Sequence, residues 1–304
     1  MSQMLFCVAC EAPLNLEGVR AQADQPILRF DHYQAAATND NSVAVVGSAG
    51  VVVTSIDNGE NWSRKVLPDY PPLIDVTSCP DGNYVILDFN HHIWLSDDNA
   101  KSWLKKSIDS PEVPQAITCD PKNRIWVVAS FSTILSSPDK GETWETRSLD
   151  EDLMLTSLQF ISETVAFATG EFGTMLKTSD AGKTWDYLEP LPGEFYPQAS
   201  HFMDADRGWV VGLRGKILST SDGGNSWQSQ PTNIDAPLYG INASDSALFA
   251  VGDNGMVLGY IKGQWQQLKH NFPIRFYLRA VLPLNDKSIL LAGGAGALHM
   301  LKID

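Results

Sequence analysis

Apolar and polar positions along this chain follow the rhythm of short β-strands. In one representative stretch, residues 158–160, 165–169, 174–178 and 185–188 alternate apolar with polar residues and are parted by turn residues. That pattern predicts four short antiparallel strands. Helical heptads are absent, and no apolar run approaches the roughly 18 residues of a membrane span. The expectation is an all-β protein that does not itself cross a membrane.

The four-strand pattern repeats. Five segments share a hydroxyl residue, an Asp two positions later, a small residue at the fifth position and a Trp at the eighth. They are Ser55, Asp57, Gly59 and Trp62; Ser96, Asp98, Ala100 and Trp103; Ser137, Asp139, Gly141 and Trp144; Thr178, Asp180, Gly182 and Trp185; Thr220, Asp222, Gly224 and Trp227. The tryptophans recur every 41 or 42 residues, a period that suits one four-stranded propeller blade.

Eight residues before each hydroxyl, an apolar strand ends at Gly47, Asp88, Ala129, Gly170 or Gly212. The landmark persists where the box decays, at Gly252 and Gly293, with Lys262 standing where the sixth Asp belongs. Seven units follow, and with them a seven-bladed β-propeller of four-stranded antiparallel blades. The seventh unit runs out near residues 298–303 without a fourth strand, while an extra segment precedes the first unit. Unpaired sheet edges invite aggregation, so residues 13–20 are expected to supply the outer strand of the last blade. The domain is read as 13–304, with 1–12 as a leader.

The boxes are read as structural. The Asp carboxylate accepts backbone N–H bonds across the turn between the third and fourth strands. Gly provides the positive φ the turn needs, Trp covers the hairpin and packs between blades, and the hydroxyl supports the turn more weakly. Ala100 in place of Gly predicts strain in the second hairpin.

These boxes resemble the Asp-box, or BNR, repeats of sialidases, other exported glycosidases and sortilin-type receptors. The unit from Val210 to Trp227 is similar to those of the photosystem II stability/assembly-factor family of seven-bladed propellers and its non-photosynthetic bacterial relatives. The resemblance spans roughly residues 27–300. It implies a non-enzymatic protein without a cofactor, exported to the lumen or periplasm, that assists assembly of a membrane protein. Some relatives accompany transporters of the resistance-nodulation-division type, which makes a periplasmic accessory role at such a complex an expectation. The photosynthetic members bear a positively charged patch that these scattered arginines do not reproduce.

Charge and cysteines adjust this picture. Thirty-six acidic against 22 basic residues give a net charge of −14, which disfavours nucleic acid as a partner. The apolar run from Met4 to Cys10, followed by Glu11, reads as the tail of a secretory signal with Cys10 as a candidate lipid-anchor cysteine. Export is the reading adopted, with a cytoplasmic chain as the alternative. Cys79 and Cys119 lie in neighbouring units, but Cys119 aligns with Ser78. Their side chains are expected on opposite strand faces, which argues against a disulfide.

An enzyme of the Asp-box group is the alternative function, either a sialidase-like hydrolase or, without turnover, a glycan-binding lectin. A sialidase requires converging arginines, and the Arg-Ile-Pro element that precedes its boxes is missing around Arg29. Other glycosidases need two carboxylates facing across a cleft. Asp75, Glu163, Glu171, Glu194 and Asp253 are candidates by residue type only and read as solvated turn acids. His91 and His92 occupy a turn where other units have Gly and read as an exposed polar loop, and no metal site is expected.

Propellers commonly bind partners on the loops leading into their innermost strands. Here those loops gather His32, Tyr33, Tyr196, Tyr239, Arg275, Phe276, Tyr277 and Arg279, a mixture of aromatics and arginines that favours protein interfaces. The stretch 272–279 is the leading candidate, because its two cations lie beside three aromatics in an acidic chain.

Overall fold

A computed structural model describes the chain apart from residues 1–16, 19–21, 23, 40, 97–99, 194, 245–246 and 304. Its described strands form seven antiparallel sheets, six of four strands and a last one of three. The inner strands are Tyr33–Thr38, Leu73–Ser78, Pro114–Cys119, Leu155–Phe160, Pro197–Phe202, Leu238–Ala243 and Leu278–Asn285. Second strands end at Gly47, Asp88, Ala129, Gly170, Gly212, Gly252 and Gly293, the landmarks of the repeat.

Burial follows position in the blade. Second strands such as Val43–Gly47 and Ile125–Ala129 are buried throughout, because each of their two faces meets a neighbouring blade. Their sequences are accordingly continuous apolar runs. Outer strands such as Ser63–Val66 are mostly exposed and charged.

Seven apolar clusters result, one per blade–blade interface. Val43 and Val45 of blade one pack with Leu290 and Ala292 of blade seven. The ring is therefore closed. The same junction repeats a backbone bond found elsewhere. Gly50 N donates to Pro71 O at the first junction, Gly255 N to Phe276 O at the sixth, and Gly296 N to Asp31 O (2.8 Å) at the seventh. Arg64 adds a two-pronged pair to the buried Asp31 carboxylate at 2.8 and 2.9 Å, which pins the segment leading into blade one. The expected closing strand at residues 13–20 lies largely outside the described residues.

Box turns carry their bonds as a network. In blade three, Ser137 Oγ donates to Asp139 Oδ1 at 2.9 Å and accepts Gly141 N at 2.7 Å, while Asp139 also accepts Thr143 N. The hydroxyl is thus a central junction of the turn and not a minor support. Blades one, four and five repeat the arrangement. Asp98 lies outside the described residues, and Ala100 holds φ 62° in the second box. These hydrogen bonds stabilise the ionised form, lowering the Asp57, Asp139 and Asp180 carboxyls to about 2 and that of Asp222 below its usual range. Trp62, Trp103, Trp144, Trp185 and Trp227 each pack into the interface with the preceding blade. In blade six the box shrinks to a two-residue hairpin with Lys262 and Gly263 at positive φ.

The expectation for the two blade cysteines is overturned. Cys79 and Cys119 form a disulfide, with Cα atoms 5.2 Å apart. The alignment of Cys119 with Ser78 is correct, since each closes the same inner-strand ladder. The inference drawn from it was inverted. In a ring the front of one blade faces the back of the next, so two cysteines one residue out of step point toward each other.

Candidate functional site

The upper face of the ring is the end where the chain leads into each inner strand, and the turns between second and third strands share it. The central channel opens there. Its first ring of side chains comes from the second residue of every inner strand: Gln34, Ile74, Gln115, Thr156, Gln198, Tyr239 and Arg279. The next ring is narrow and small, Ala35, Asp75, Ala116, Ser157, Ala199, Gly240 and Ala280. Small residues are required here because seven strands converge; a Cβ on Gly240 would run into the Arg279 carbonyl. The cavity measures about 230 Å³, at the small end for a ligand site.

Asp75 is the one carboxylate among the described residues lining that cavity. It is not a solvated turn acid, as its sequence context suggested. It accepts Val76 N at 2.8 Å from its own blade and Ile117 N at 2.9 Å from blade three. Burial raises its carboxyl to about 6, against the opposing pull of those two N–H groups and of Arg279. The channel thus pairs one hard-to-ionise acid with one cation at its mouth.

Around the mouth, three of the candidate aromatics meet. His32 and Tyr277 stack at 6.4 Å between ring centres, and Tyr239 meets Tyr277 edge-on at the same distance. Gln34 Nε2 donates to the Tyr277 hydroxyl at 3.3 Å. Arg279 stands beside Tyr239 in the channel lining, and the exposed Arg275 and Phe276 lie on the segment that leads in. The result is an aromatic platform with cations at its rim, contributed by blades six, seven and one.

Two candidates fall elsewhere. Tyr33 is wholly buried, and its hydroxyl donates to Asp31 at 2.9 Å, so it offers no surface to a partner. Burial together with the neighbouring Asp31 pushes its phenol far above the usual range. Tyr196 lies between blades four and five, where it donates to Glu171 at 3.2 Å. His91 bonds the Ser110 carbonyl and His92 the buried Asp88 carboxylate, so this turn is pinned on both sides. Among the described residues no cluster of three His, Cys, Asp or Glu could hold a metal, and no helix is long and apolar enough to cross a membrane.

Fold and site together define a class: a closed seven-bladed propeller whose boxed turns are structural and whose upper face carries an aromatic–arginine platform over a narrow polar channel. Within that class the chain resembles the family described as photosynthesis system II assembly factor YCF48, whose model matches residues 95–201. No curated protein matches the chain. Among solved structures, YCF48 bound to D1 peptide is similar at 16% identity, with a TM-score of 0.76, over 92% of this chain and 94% of that one. YCF48 from Cyanidioschyzon merolae is similar at 16% identity and a TM-score of 0.72, over 92% and 98%. Virginiamycin B lyase from Staphylococcus aureus has a TM-score of 0.80 at 13% identity, over 93% and 97%. At such identities these likenesses show the fold alone.

Proposed function

We propose that this chain is a non-catalytic, exported propeller that binds a protein partner and assists assembly of a membrane protein complex. The observation that supports this most is the His32, Tyr239 and Tyr277 platform with Arg275 and Arg279 at its edge. Large rigid aromatics beside guanidinium groups are the side chains that dominate protein interfaces. The resemblance to the YCF48 family supports the same reading, because one of those structures is described as holding a D1 peptide. Export is supported by the Cys79–Cys119 disulfide, which persists in oxidising compartments.

An enzyme is the second reading, favoured by the likeness to virginiamycin B lyase. The channel chemistry weighs against a glycosidase, since Asp75 lacks a facing carboxylate among the described lining residues. Pull-down from native membranes with the wild type and with Tyr277→Ala/Arg279→Ala, beside a fluorogenic glycoside panel and a streptogramin, separates the two. The proposal expects a discrete protein lost in the variant and no turnover. Turnover abolished by Asp75→Asn would overturn it.

A further inference from the structure

Four exposed apolar side chains occupy the same turn in consecutive blades. Phe89, Phe131, Phe172 and Leu213 lie between the second and third strands of blades two to five, and are 49, 52, 73 and 47% exposed. The corresponding turns of the other blades carry Ser48 and Ala49, Asp253 and Asn254, or Gly294 and Ala295.

The repeat supplies its own control. Six of these turns place a non-glycine residue in the left-handed region at one equivalent position. Ala49 (φ 58°), Arg214 (φ 57°), Asn254 (φ 52°) and Ala295 (φ 55°) fill it in blades one, five, six and seven. Blades three and four use Phe131 (φ 51°) and Phe172 (φ 57°). The left-handed position costs any non-glycine residue about 1–2 kcal/mol, alanine and arginine included, so what sets blades three and four apart is the aromatic side chain itself. At least half of each of these two residues lies in water. Nothing among the described residues covers that aromatic surface, and burial against a partner would.

The charge around Phe131 and Phe172 has one sign, whereas the turn of Leu213 carries the exposed cations Arg214 and Lys216. Asp109, Asp150, Glu151 and Asp152 are exposed on the segments leading into blades three and four. Ser130 Oγ donates to Glu112 at 2.7 Å and Met154 N to Glu171 at 2.9 Å, which holds both carboxylates beside the two turns. Residues 107–113, 129–133, 148–154 and 170–174 include no Lys or Arg. The platform near Tyr277, by contrast, is edged by arginines.

We propose that Phe131 and Phe172, continued by Phe89 in blade two, form a second docking surface, and that its partner is a polypeptide segment mixing apolar side chains with Lys or Arg. The rings take the apolar groups and the faces of the cations, and the carboxylates take their charge. Anionic bilayers and nucleic acids meet like charge here.

The test pans a random-peptide display library on the full chain, with Phe131→Asn/Phe172→Asn as the counter-target. Asn is the residue blade six uses at this position, so the turn is preserved. Enriched peptides should combine Lys or Arg with aromatic or Leu residues. In anisotropy they should bind the wild type about tenfold or more tighter than the variant, weaken with salt and ignore Tyr277→Ala/Arg279→Ala. The variant should melt no lower than the wild type. An acidic or uncharged consensus, equal affinity for both proteins, or a lower melting temperature of the variant would overturn the proposal. Binding of phosphatidylglycerol vesicles that depends on the two phenylalanines would overturn it in favour of a membrane.

Discussion

Cys79 and Cys119 sit one residue out of step in neighbouring blades and are joined across the interface between them. The offset is what the ring geometry demands, because adjacent blades present opposite faces to each other. The bond staples the lower ends of blades two and three over 40 residues of chain. Chain-entropy reasoning gives such a loop about 2–4 kcal/mol. Cys79→Ser/Cys119→Ser should therefore lower the urea midpoint, with a slope equal to or steeper than that of the wild type because the unfolded chain is no longer cross-linked. Dithiothreitol should destabilise the wild type and leave the variant unmoved.

Asp75 imposes a pH dependence of definite sign. Its folded pKa, raised to about 6 by burial, exceeds the unfolded value of 3.8. The folded state thus binds the extra proton between those values. The stability linked to that proton is fully present below pH 3.8 and is lost as pH rises through 6, by roughly 1–2 kcal/mol once channel water is allowed for. Relative to wild type, Asp75→Asn should become progressively more favourable from pH 4 to 7. Chemical denaturation of both proteins across that range checks it, and a constant difference would contradict the assignment.

Two glycines with similar backbones should respond differently to a methyl group. Gly182 (φ 75°) is a box glycine whose Cβ would strike the Trp126 ring of the preceding blade. Gly82 (φ 83°) has nothing within 4 Å of that position. Both alanines carry left-handed strain of about 1–2 kcal/mol, but only Gly182→Ala also overpacks an interface, adding about 1–3 kcal/mol. Melting temperatures of the two variants should differ clearly and in that order.

Arg64→Met should loosen the seventh junction. It leaves the Asp31 carboxylate, 1% exposed, without its cation, while Leu28 N and Tyr33 Oη still donate to it. Breaking such a pair from one side costs about 3–5 kcal/mol. Limited proteolysis should show cleavage near residues 26–31 well before the blades are cut, and Asp31→Asn/Arg64→Met should recover part of the loss.

The blades were legible because tryptophan, glycine and a hydroxyl recur at fixed offsets from a strand end. The channel was not. Its ring of Gln34, Ile74, Gln115, Thr156, Gln198, Tyr239 and Arg279 shares a position and no residue type, so no motif marks it. Counting from strand starts would have found it. The same count would have removed Tyr33, which holds the position of Leu73, Leu155, Leu238 and Leu278, each at most 1% exposed. Asp75 passed for a turn acid because a single carboxylate in an inner strand looks like any other until the strands converge. The exposed phenylalanines carry no sequence mark either, because an apolar residue in a strand-connecting turn cannot be told from one that folds back onto the core.

Site-specific photo-cross-linking in cells decides whether the upper face is the working surface. A benzoylphenylalanine replaces Phe276 on the upper face or Ile56 on the lower, both exposed and so tolerant of the change. The account predicts a discrete protein adduct from position 276 that is reduced by Arg279→Ala, and none from position 56. Adducts from the lower face alone, or from neither position, would contradict it.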